Sequence, residues 1–124
     1  MIQSSKRRKQ RKQRFSAPLH IMQKFAHAHI SKELAGKLGI KRRSIEVRRG
    51  DTIKVMSGAQ KGKSGKVSKV NLRKGFVYVE GITRKTIKGK EIMIPIRASK
   101  VYITDLDISD KYRKEAIDKM KVAK

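Results

Sequence analysis

The sequence predicts a mainly β protein: a small antiparallel barrel, preceded by a basic N-terminal extension with a short helix and followed by a C-terminal helix. Three observations carry this prediction. From Ile45 onward, apolar residues alternate in short runs, the period of half-buried strands. Turn residues separate the runs at Ser57-Gly58, Lys74-Gly75, Gly81 and Lys88-Gly89, with no helical pattern between them. On both sides of this region the period becomes helical and capping residues stand in place. Short strands joined by tight turns within about 55 residues are the pattern of a small barrel. The expected divisions are 1–45, 46–104 and 105–124.

Taken in order, residues 4–14, SSKRRKQRKQR, hold seven cations and no apolar side chain. Such a segment buries too little to offset the entropy of ordering, so it is expected to be disordered when free. Pro18 biases Ala17 to an extended backbone, so the piece around Phe15 is expected to lie across a surface without forming a helix. Residues 31–39, SKELAGKLG, read as a two-turn helix, with Ser31 as N-cap, Glu33 in the first turn and Gly39 closing it. Lys41-Arg42-Arg43-Ser44 reads as a basic linker.

In the barrel region, Ile53 and Val55 alternate, while the three-residue spacing of Val67 and Val70 predicts a bulge. Phe76 to Val79 is apolar on both faces, which predicts a central strand. Ile92, Ile94 and Ile96 alternate, and Pro95 puts that strand at an edge or end. Val101 and Ile103 make the fifth run. Beyond it, Ser109 is the expected cap of a helix, with a Glu115–Lys119 pair and an apolar stripe of Tyr112, Ala116 and Met120.

Charge narrows the function. Lys and Arg total 34 against 10 acids, a formal charge of +24. A compact body so charged repels itself unless a polyanion lies beside it. Nucleic acid is the first such partner, because each neutralised phosphate releases counterions; an anionic membrane surface is the second. No apolar run approaches the ~20 residues of a spanning helix, and no signal-peptide core is present, so membrane insertion is not expected. The absence of cysteine excludes disulfides and thiolate metal sites. With aromatics at 5% and no tryptophan, recognition through backbone and shape by Lys and Arg is favoured over base stacking.

Residues 58–64, GAQKGKS, look at first like a nucleotide phosphate loop. Only Ala59, Gln60 and Lys61 separate Gly58 from Gly62-Lys63, one residue too few, and a β-branched strand follows where a helix is required. The histidines His20, His27 and His29 lie outside the predicted barrel, and the His27-Ala28-His29 pair lacks the ligands of a tetrahedral set. Asp105, Asp107 and Asp110 fall where capping explains them. No catalytic residue, metal or cofactor is expected. Gly58, Gly62 and Gly65 are instead expected to give positive φ and close approach, and Lys61, Lys63 and Lys66 to put cations beside a phosphate strand. A lysine-solvated hairpin is the alternative for this turn, and a solubility or localisation tail the alternative for residues 4–14.

Arg49-Gly50-Asp51-Thr52-Ile53-Lys54-Val55-Met56-Ser57-Gly58, then Lys61-Gly62-Lys63-Ser64-Gly65-Lys66-Val67, resembles the KOW motif. With RKQRF, APLH at 17–20 and SKEL at 31–34, the chain resembles the KOW-containing family of large-subunit ribosomal proteins of universal number twenty-four, in its archaeal and eukaryotic form. The resemblance covers roughly Lys6 to Tyr102. It implies an SH3-like barrel that binds large-subunit rRNA near its 5′ end, acts early in assembly and sits in the cytoplasmic ribosome beside the exit tunnel and neighbouring ribosomal proteins. Arg97-Ala98 departs from the family's usual His-Pro. The residues expected to meet rRNA are Lys6, Arg7, Arg8, Lys9, Arg11, Lys12, Arg14, Phe15, His20, Lys41, Arg42, Arg43, Gly58, Lys61, Gly62, Lys63, Gly65, Lys66, Arg73 and Lys74. No homo-oligomer is expected. Two other readings stand beside this one: a KOW-type transcription elongation factor that binds polymerase, and a DNA-compacting architectural protein.

Overall fold

β-branched residues at every second position from Ile53 set the strands, and the chain wraps around their inward side. A computed structural model describes residues 4–121. Helices α1 (Arg7–Ser16) and α2 (Leu19–Met22) lead into β1 (His27–Ile30), α3 (Lys32–Leu38) and β2 (Ser44–Glu46). Then follow β3 (Thr52–Val55), β4 (Ser64–Asn71), β5 (Phe76–Val79), β6 (Thr83–Lys85), β7 (Glu91–Met93), β8 (Ile96–Arg97), β9 (Val101–Asp105) and α4 (Lys111–Asp118). One sheet runs β2-β1-β9-β3-β4-β5-β8 and curls into the expected small SH3-like barrel; β6 and β7 form a separate hairpin. β1 runs parallel to β9, and the other pairs in the sheet are antiparallel.

Ile53, Val55, Val67, Val77, Val79, Val101 and Ile103 are at most 1% exposed and form the centre of the core. Each contributes about 1.5–3 kcal/mol by leaving water. Leu34 of α3 and Ile117 of α4 join the same cluster. The predicted bulge is present, as a register shift between Val67 and Lys69 against β5. Ser31 caps α3 by accepting from the Leu34 N–H at 3.2 Å, and Gly39 closes it at φ 64°.

Several expectations are corrected. Residues 7–16 are helical, although α1 buries no residue. Lys, Arg and Gln are good helix formers, no Gly or β-branched residue interrupts them, and Arg14 near the end of α1 lies over Phe25. Ala17 is extended before Pro18, as expected. β1 falls within residues 1–45 yet is the second strand of the sheet. The run from Ile92 to Ile96 is two strands, because Pro95 has no N–H to continue the ladder: β7 is exposed and β8 is the sheet edge. Asp110, not Ser109, caps α4, accepting from the Tyr112 N–H at 3.0 Å. Arg113 and Ile117 face inward, while Tyr112 and Ala116 are exposed and Met120 packs at the margin. The ion pair at the end of α4 is Lys121–Asp118, at 2.6 Å.

Arg113 explains that rotation of α4. Its two terminal nitrogens donate to the Asp51 carboxylate at 2.5 and 2.7 Å and to the carbonyls of Asp107 and Glu46 at 2.9 and 3.1 Å. Asp51 also accepts from the backbone N–H groups of Arg48 at 2.8 Å and Asp107 at 3.0 Å. A charged side chain takes a core position because a buried carboxylate waits there. Thr52 pairs with Asp105 and Val55 with Val101, so this end of β3 is opposite the Gly58–Lys63 turn.

Candidate nucleic-acid interface

The turn between β3 and β4 is tied down by its own backbone. The Gly62 N–H donates to Val55 and the Val55 N–H to Lys63, both at 2.8 Å, while the Met56 N–H donates to Lys100 at 2.9 Å. Gly58 and Gly62 adopt φ 99° and 88° with open space around them, so their role is conformational. Gly65 is different from expectation. It has no positive φ; a Cβ there would lie 2.8 Å from the Glu80 carbonyl oxygen and from Val79 Cγ1. It serves the barrel's closure, not the turn. Lys61 and Lys63 stand exposed on the turn. Lys66 faces Thr52 at the other end of β3 and helps lower the Asp107 carboxyl pKa, a shift due first to hydrogen bonds from Ser109.

Beside the turn lies a groove of about 470 Å³, lined by Val55, Ser57 to Gln60, Phe76, Arg84, Ile94 to Arg97 and Lys100. Arg97 lies over the Phe76 ring, 5.6 Å from its centroid. The same arginine lines a second cavity with Arg14, Phe25, Gly75, Ala98 and Ser99, where Arg14 lies over Phe25 at 5.5 Å. The end of α1 is thereby set against the β4–β5 turn. Phe15 shares a third cavity with Leu19, Met22, Arg73 and Lys74. Arg97 thus links Arg14 to Gly58, and Phe15 and Lys74 flank that pair one residue along from Arg14 and Gly75. Arg84, Arg97 and Lys100 join the surface through the fold, and no sequence signal points to any of them.

Lys6, Arg7, Arg8, Lys9, Arg11 and Lys12 extend this surface along α1, all exposed. Arg7–Arg11 and Arg8–Lys12 are like charges at i,i+4, each costing the helix a few tenths of a kcal/mol. A line of phosphates would reverse that cost. Among the described residues, no ion pair involves α1, the turn or the groove. Several acids are engaged elsewhere: Arg48 pairs with Glu46 and Asp110, and Arg113 with Asp51. Lys41, Arg42 and Arg43 are exposed but not part of this surface, since the Arg43 carbonyl accepts from Ile30 at the opposite end of the sheet. His20 is exposed on α2. His29 packs beside Tyr102, with ring centroids 5.7 Å apart, and burial lowers the His27 pKa despite the opposing pull of Glu46.

Residues 4–120 match the family model that describes the ribosomal proteins called L26 in eukaryotes and L24 in archaea. The chain belongs to this L26/L24 family of ribosomal proteins. It is similar to the large ribosomal subunit protein uL24 of Pyrobaculum islandicum, at 48% identity over 92% of this chain and 91% of that one. It is also similar to the uL24 proteins of Saccharolobus solfataricus, at 48% over 95% and 98%, and Sulfolobus acidocaldarius, at 43% over 94% and 85%. The family match takes in both α1 and Arg113 of α4, so the arm and its counterweight lie within the family's span. Members of the family are structural and non-enzymatic components of the ribosome, in the cytoplasm.

Proposed function

We propose that this ribosomal protein is a constituent of the large subunit that binds large-subunit rRNA directly. One arrangement supports the reading: among the described residues the cations of α1, the β4–β5 turn, the groove and the Gly58–Lys63 turn make no ion pair, and Arg14 of α1 and Arg97 of the groove line one cavity. Phosphate contact by such a surface positions the protein without reading bases. The interface comprises Lys6 to Arg14, Phe15, Gly58 to Lys63, Arg73, Lys74, Arg84, Arg97 and Lys100. His20 and Lys41 to Arg43 make separate contacts. The sequence resemblance extends the reading to rRNA near its 5′ end, early action in assembly, and a place by the exit tunnel among other ribosomal proteins.

The test is the salt dependence of affinity for an RNA fragment from the 5′ region of large-subunit rRNA. Replacing the seven cations of Lys6–Arg14 by serine should flatten the slope of log K against log salt by up to about 5 units. An unchanged slope would remove the arm from the interface. Equal affinity for duplex DNA, with no preferred RNA site, would favour DNA compaction.

A further inference from the structure

We propose that Arg14 and Arg97 form a clamp for one backbone phosphate, held between the arm and the barrel. The inference rests on the RNA-binding reading above and assigns a specific subsite within it. Each guanidinium carbon lies within cation–π range of an aromatic ring, Arg14 of Phe25 at 5.5 Å and Arg97 of Phe76 at 5.6 Å. Such a contact restrains the group without consuming its N–H donors, and a guanidinium can give two of them to one phosphate. Both arginines line one cavity of about 190 Å³, with Ser99 at its side. Neither has a carboxylate partner among the described residues. Two like charges therefore face one cavity, and an anion between them turns repulsion into two charge-assisted contacts.

Gly75 is at φ 66°, a turn conformation that favours glycine, and it lies within ordinary contact reach of Arg14 Nη2. Phe76 and Arg97 are direct partners in the β5–β8 ladder, so the ring and the guanidinium above it are set by the same register. Arg14 comes from α1 and Arg97 from β8, far apart in the chain. A phosphate shared between them couples the docking of α1 to RNA binding. An inorganic phosphate ion presents the same oxygens, and the experiment separates the two sources.

Affinity for the 5′-region rRNA fragment is measured at fixed salt by fluorescence anisotropy, for R14Q, R97Q, R14K, R97K, R14Q/R97Q, K61Q and R14Q/K61Q, with circular dichroism on every variant. Both arginines are exposed, so the variants should fold. R14Q and R97Q should each weaken binding about tenfold, and the lysine variants should recover only part of it. R14Q/R97Q should lose little more than either single change, whereas R14Q and K61Q should multiply, because only the first pair shares a phosphate. Methylphosphonate substitution at one RNA position should reproduce the loss and make R14Q silent there. Full multiplication of R14Q and R97Q, or unchanged affinity in either, would overturn the clamp while RNA binding stood. Millimolar inorganic phosphate binding with the same arginine dependence, and no sensitive RNA position, would make it a free-anion site and overturn the proposal. A wild-type protein that failed to bind the fragment would instead remove the RNA-binding reading itself.

Discussion

Replacing Arg113 by methionine tests how α4 is held. Asp51 is fully buried and Arg113 is 5% exposed, so the pair is screened from water. Methionine fills the space of the arginine stem but leaves the Asp51 carboxylate with only the N–H groups of Arg48 and Asp107. Breaking a buried pair from one side costs about 3–5 kcal/mol. The two surviving donors put this case near the lower end, about 3 kcal/mol. With a urea m-value of about 1.5 kcal/mol/M, the unfolding midpoint should fall by about 2 M. The double variant D51L/R113M removes both charges and should recover part of the loss, the remainder being the Arg48 and Asp107 N–H groups and the Asp107 and Glu46 carbonyls left without partners. A single-variant loss below about 1 kcal/mol, or a double variant as unstable as the two single changes added together, would refute the pair as the tether.

Three further outcomes are expected. Gly65→Ala should cost about 1–3 kcal/mol through the 2.8 Å clash with Glu80 and Val79, whereas Gly36→Ala, with nothing within 4 Å in α3, should gain about 0.5–1 kcal/mol; thermal melts that shift in the same direction would contradict this. Ser31→Ala should cost about 1 kcal/mol, seen as lost hydrogen-exchange protection of the Leu34 amide, and Ser31→Asp should restore it. His27 has a folded pKa below its ordinary value because of burial, so the unfolded chain binds more protons and stability falls as pH drops below about 6.5. H27Q should lose less stability than wild type between pH 7 and pH 5 in denaturant titrations; parallel losses would show that other groups govern that range.

The strands β3, β5 and β9 were legible because each carries β-branched residues on a two-residue period, and β4 through the three-residue spacing of Val67 and Val70 that marks its bulge. β1 was not, since His27 and His29 alternate with Ala28 and Ile30 and read first as potential ligands; its parallel partner β9 lies far along the chain. The face of α4 was misread for a physical reason: periodicity assigns arginine to solvent, and nothing local discloses that Asp51 is buried and demands Arg113. In the interface, the cations of the arm and turn were legible from charge. Arg97 was not, because its importance comes from lying over Phe76 between two cavities, a relation only the fold creates.

The parallel pairing of β1 with β9 also sets an order of events. His29 meets Tyr102 roughly seventy residues later in the chain, a long-range closure of the kind that slows folding. During synthesis from the N-terminus, residues 1–45 appear with 13 basic side chains and one acid before any barrel strand from β3 onward exists. Arg14 meets Phe25 early, but the β8 arginine that shares its cavity arrives much later. The cationic arm is therefore made well before the barrel residue that shares its cavity, so the cavity between arm and barrel is completed only late in synthesis.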